Sequence, residues 1–129
     1  MPSPTGLTSL ERAVLACIVD ASPEDGAALR AQLAAARLRD RKNTGCGFFT
    51  YFDIDRAAPP IGERKARDMR DGPFGRVDGA AHGMGFILWL KDGYADCLEG
   101  YCYANDDTKG WDLENLSFDL SASPPDPSP

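Results

Sequence analysis

The one histidine of the chain, His82, stands in Gly79-Ala80-Ala81-His82-Gly83-Met84-Gly85. An imidazole titrates near neutrality, so His82 is the residue suited to general-base chemistry. Cys46, in Gly45-Cys46-Gly47, would be its nucleophile, and Asp53 or Glu99 its orienting acid. Nothing in the spacing brings His82 to Cys46, and an exposed or structural histidine is the competing reading. The four cysteines, Cys17, Cys46, Cys97 and Cys102, include no Cys-x2-Cys pair. Cys97 and Cys102 are five positions apart in a strand pattern, which puts them on opposite faces. With a single histidine, no zinc signature remains, and the thiols read as small buried hydrophobes. Both glycine-rich stretches precede strands, whereas a dinucleotide fingerprint leaves a strand and opens a helix. Asp53-Ile54-Asp55 and Asn105-Asp106-Asp107 lack the spaced glycine and final glutamate of a calcium loop. No catalytic residue, metal ligand or cofactor is assigned.

Binding chemistry has more to work with. Tyr94, Tyr101, Tyr103 and Trp111 lie among Asp96, Glu99, Asp106, Asp107 and Asp112. Aromatic side chains supply interface anchors, and acids supply complementarity to a basic partner. The competing reading is half-buried aromatics at a sheet edge. The candidate binding residues are Asp96, Glu99, Tyr101, Tyr103, Asp106, Asp107, Trp111 and His82.

The element that positions most of them is a hairpin. Asp92-Gly93 is a type I′ turn signal between Met84–Lys91 and Tyr94–Tyr101. A regular ladder from that turn sets Trp89 opposite Asp96, Leu88 opposite Cys97 and Phe86 opposite Glu99. Glu99 then shares a face with Phe86, Leu88, Leu90 and Cys97. A carboxylate there costs several kcal/mol unless paired or solvated, so either an arginine meets it or that face is an open concave site.

Ahead of the hairpin, Thr8-Ser9-Leu10-Glu11 fits a capping box and opens a helix over about 9–19. Ser22-Pro23-Glu24-Asp25 starts a second helix, whose end carries Arg37, Arg39, Arg41 and Lys42. From Gly45 the period changes from 3.6 to 2, giving a strand over 45–54. Residues 56–76 read as a long surface loop, with a short strand near 75–80 and a last strand near 114–120. Ser121–Pro129, with four prolines in nine residues, reads as a disordered tail.

The chain has 129 residues, 43% apolar and 26% charged, the balance of an ordinary globular domain. Its longest apolar run, Ala13–Val19, falls short of the roughly 20 residues of a membrane span. The N-terminus has no secretory pattern, so the expected location is the cytoplasm, with reduced thiols. The net charge of −6 is uneven: −3 over residues 1–29, +5 over 30–76 and −8 over 77–129. If the fold separates these stretches, the surface is polarised. Its acidic part disfavours nucleic acid and anionic membranes and favours a cationic partner. Only the basic 30–76 stretch suits nucleic acid.

Thr44-Gly45-Cys46-Gly47-Phe48-Phe49-Thr50, His82-Gly83-Met84-Gly85-Phe86 and Leu98-Glu99-Gly100-Tyr101-Cys102-Tyr103 resemble stretches of small bacterial proteins of unknown function. The resemblance spans about 7–120. It implies a stand-alone bacterial domain and no activity, cofactor or site residue.

The expected fold is α+β: two N-terminal helices packed on a mostly antiparallel sheet of four or five strands. Residues 1–120 form the domain and 121–129 the tail. The uncovered sheet face carries Trp89 and Tyr51. The leading functional reading is a small acidic, non-enzymatic protein-binding domain, immunity- or antitoxin-like, that captures a basic protein. The alternative is a small-molecule binder or enzyme with a sheet-lined pocket using Glu99 and His82. Oligomeric state is left open.

Overall fold

The structure, a computed structural model, describes residues 6–63 and 65–122. Helix α1 (Ser9–Asp20) opens with the capping box: the Thr8 hydroxyl accepts from the Glu11 amide, and the Glu11 carboxylate accepts from the Thr8 amide. Helix α2 (Gly26–Ala34) is shorter than its alanine content suggests. The basic residues after it do not decorate a helix end. They form an edge strand, β1 (Arg37–Asn43), whose charges suit an edge exposed to water. Arg41 of β1 reaches the core side, where its Nε donates to Glu11 Oε2 at 2.9 Å. The Thr50 hydroxyl donates to the same carboxylate. This pair ties α1 to the sheet, which explains why the chain leaves the helical path so early.

Strand β2 (Gly47–Asp53) follows. The expected loop over 56–76 holds an unexpected short strand, β3 (Arg67–Asp71), and the strand expected near 75–80 is β4 (Phe74–Val77). Both run antiparallel to β5 (Met84–Lys91), one after the other, with the break at Gly72-Pro73. The loop that remains is pinned to the hairpin turn. The Tyr94 hydroxyl donates to the Ala58 carbonyl, the Ile61 amide donates to the Gly93 carbonyl, and buried Gln32 bridges Pro59, Gly93 and Ala95. Strand β6 (Tyr94–Cys102) completes the hairpin. A 3-10 turn (Leu113–Asn115) precedes β7 (Phe118–Ser121), so the last strand begins later than its alternation suggests. Ser121 belongs to β7, and of the expected tail residues 123–129 lie outside the described residues.

Among the described residues the sheet therefore has seven strands, not four or five. Its order is β1-β2-β6-β5-β4-β7, with β3 beside β4 on β5, and every pairing is antiparallel. Leu10, Val14, Ile18, Leu29 and Leu33 from the helices close on Phe48, Phe52, Met84, Phe86, Leu88, Leu90 and Leu98 of one face. Among the described residues the other face carries no helix.

The hairpin turn forms as its residues require, with φ of 53° at Asp92 and 85° at Gly93. The ladder beyond it is not regular. Lys91 pairs with Tyr94 and Leu90 with Ala95, but Trp89 pairs with Cys97, leaving Asp96 as an extra residue. This bulge reverses the expected faces of the rest of β6. Leu98 and Gly100 turn to the core, and Cys97, Glu99 and Tyr101 turn to the helix-free face. Glu99 is not a carboxylate in the core.

Candidate functional site

The helix-free face is read most simply as rows across the strands. Lys42, Phe49, Glu99, Ile87 and Asp71 form one row, and Asp40, Tyr51, Cys97, Trp89 and Met69 form the next. Cys97 thus lies between two aromatic residues, Tyr51 on β2 and Trp89 on β5. Around it opens a cavity of about 420 Å³, whose lining includes Phe49, Tyr51, Arg67, Trp89, Asp96 and Glu99. The Phe49 and Tyr51 rings stack side by side, with centroids 6.1 Å apart. Glu99 Oε1 accepts a hydrogen bond from Trp89 Nε1 at 3.0 Å. Indole, not arginine, is its partner.

Charges gather at these rings. Arg39 Cζ lies 5.5 Å and Lys42 Nζ 5.9 Å from the Tyr51 centroid. Arg67 Cζ lies 5.4 Å from that of Trp89. All three are within cation–π range. Among the described residues neither Asp96 nor Glu99 forms an ion pair. The Cys97 thiol is pushed up to about 11 by burial first, then by Asp96 and Glu99. It stays protonated at neutral pH and is a small apolar floor, not a nucleophile.

The fold does not separate the basic and acidic stretches, whose strands interleave in the sheet. Acidic β6 lies between the strands that carry the cations, so the face alternates in sign instead of being flatly acidic.

The eight candidate residues divide into three groups. Asp96 and Glu99 line the cavity. Tyr101 and Tyr103 continue the same face as a second aromatic cluster, edge to face at 5.5 Å, with Phe74 stacked on Tyr103 at 5.9 Å. Tyr101 crosses Gly85, where any Cβ would overlap its ring. Burial, then the hydrogen bond with Tyr103, pushes its phenol up to about 12. The other four lie on two loops beyond the strand ends. Asp106 accepts from the Ala81 amide at 3.2 Å, Asp107 accepts from the Lys109 amide, and Trp111 packs against Gly79 and the core. His82 is exposed and does not line the cavity that Glu99 lines. Cys46 is exposed, and its Sγ lies 3.6 Å from Thr44 Oγ1. Among the described residues no group of three or more His, Cys, Asp or Glu side chains is placed to hold a metal ion, and no helix is long and apolar enough to cross a membrane.

The eight candidate residues do not include Phe49, Tyr51, Trp89, Cys97, Arg39, Lys42 or Arg67. Phe49 has a signal in hindsight: Phe49 and Tyr51 put aromatics on the second face of β2. Arg67 had none, because β3 has no apolar face to announce it. Comparison with known proteins finds no family model that matches the chain, and no similar curated protein or solved structure.

Proposed function

We propose that the protein is a non-enzymatic binding domain, in the manner of a small immunity or antitoxin protein, that captures a basic protein on its helix-free sheet face. The observation that carries this reading is a pair of carboxylates, Asp96 and Glu99, that form no ion pair among the described residues and are set among Phe49, Tyr51 and Trp89. Aromatic faces attract cations, and Tyr51 and Trp89 lie beside the chain's own guanidinium and ammonium groups. A cation docked there would neutralise a carboxylate and cover aromatic surface together. A second reading, a small ligand in the same cavity, is favoured by the volume of about 420 Å³, which falls within the usual range for such sites. Glu99 serves both readings; His82 is placed for neither.

The test is calorimetric titration with a synthetic peptide of alternating serine and basic residues, at low and physiological salt. Saturable binding that weakens with salt is expected. The double variant Asp96→Asn/Glu99→Gln should weaken it far more than Asp106→Asn/Asp107→Asn, which removes the same charge from the loops. No binding at low salt, or equal losses in both variants, would reject this face as the site.

A further inference from the structure

Resting on that reading, we infer that the group captured is an arginine side chain of the partner, received over Cys97 between Tyr51 and Trp89 with its guanidinium on Glu99. The two walls lie two strands apart, about 10 Å from one strand axis to the other. The residue between them is a cysteine, too small to fill the gap. Arg39 and Lys42 approach Tyr51 from β1, on the far side of β2 from Cys97. Arg67 approaches Trp89 from β3, on the far side of β5 from Cys97. The chain's own cations thus come to both walls from strands that flank the slot, and Arg67 itself lines the cavity.

A flat group suits a slot with aromatic walls, because a planar cation can stack on either ring. Guanidinium is flat and weakly hydrated, and it stacks on aromatic rings while its edge donates to a carboxylate. Ammonium is compact and strongly hydrated and lacks a flat face. Glu99 supplies the acceptor. One oxygen takes the Trp89 N–H, and the other makes no hydrogen bond among the described residues. The basic end of the cavity fixes the direction of entry. Lys91 lies four residues along β5 from Ile87, the partner of Glu99, and pairs with Arg67. That is about 13 Å by the rise of a strand, so the cation is drawn to the Glu99 end.

The test compares three peptides identical except that every basic position is arginine, lysine or citrulline. Citrulline keeps the flat shape without the charge. Titrations use the intact protein and its Tyr51→Leu and Glu99→Gln variants, each checked by circular dichroism. The arginine peptide should bind about tenfold more tightly than the lysine peptide, the scale of one bidentate, stacked contact. Citrulline should not bind. Tyr51→Leu should erase the preference, leaving weaker and roughly equal binding of both cationic peptides. Equal affinity for arginine and lysine in the intact protein, with both lost in Glu99→Gln, would overturn the arginine assignment and leave the capture of a basic partner standing. Binding of neither would overturn both.

Discussion

The bulge at Asp96 makes an unusual forecast about deletions. Strand β6 carries one residue more than β5 needs, since Leu90 pairs with Ala95 and Trp89 with Cys97. Removing Asp96 alone leaves those pairs and the β2 ladder from Cys97 onward in place. It should shift stability by no more than about 1 kcal/mol, the scale of changes away from the core. Removing Asp96 and Cys97 together slides every later residue one place along β5. Leu98, now 0% exposed, goes to the open face, a loss of about 2 kcal/mol. Glu99 moves to the core position opposite Leu88. Keeping a glutamic acid protonated at pH 7 costs about 3.7 kcal/mol from its usual pKa of ~4.3. Tyr101 moves to the place of Gly100, where even a Cβ would come within 2.7 Å of the Phe48 ring. The first two terms alone reach about 6 kcal/mol, the order of a whole domain's stability. Urea unfolding followed by tryptophan fluorescence and circular dichroism separates the cases. A single deletion that unfolds the chain would refute the register reasoning. So would a double deletion as stable as the single one.

Glu11 is 1% exposed and holds Arg41, Thr50 and Thr8. Glu11→Gln should therefore cost about 3–5 kcal/mol in urea unfolding, the scale of breaking one partner of a buried pair, and Glu11→Gln/Arg41→Met should recover part of it. A loss under about 1 kcal/mol would show the pair to be incidental. With its thiol held up to about 11, Cys97 is about one part in a hundred thiolate at pH 9. Iodoacetamide mapped by mass spectrometry should therefore label exposed Cys46 well before Cys97, and equal rates would contradict the burial. Gly85→Ala should displace the Tyr101 ring and bring its titration down from about 12 towards the ordinary phenol, which absorbance at 295 nm would follow; an unmoved titration would place the ring elsewhere.

The elements legible in the sequence are those whose local chemistry and tertiary environment agree. The capping box before α1 and the Asp-Gly turn each carry their own geometry in a few residues. Strand β2 announces itself by Phe48, Thr50 and Phe52 alternating into the core. Strands β1 and β3 lacked any such signal. Arg37–Asn43 and Arg67–Asp71 are nearly all polar and are strands only because β2 and β5 offer them a ladder to complete. Arginines 37 to 41 after an alanine-rich helix satisfy a helix dipole as well as they satisfy a sheet edge. The choice falls to the Glu11–Arg41 pair, thirty residues apart in sequence.

The site depended on a subtler matter. Composition picked out Asp96 and Glu99, and the parity of the hairpin put Glu99 on the wrong face, because one unpaired residue inverts everything after it. That inversion is also what turns the sequence from a liability into a site. On a regular ladder Glu99 would sit among core side chains, and Leu98 would face water. The bulge exchanges them, so the acid meets the Trp89 indole and the leucine completes the core. It also leaves Asp96 at the cavity, outside the pairing of the strand that carries it. Fold and proposed function therefore rest on the same register: the hydrophobic pattern of β6 requires Leu98 to face the core, and only that pairing brings Glu99 to one open face with Asp96 and three aromatic rings.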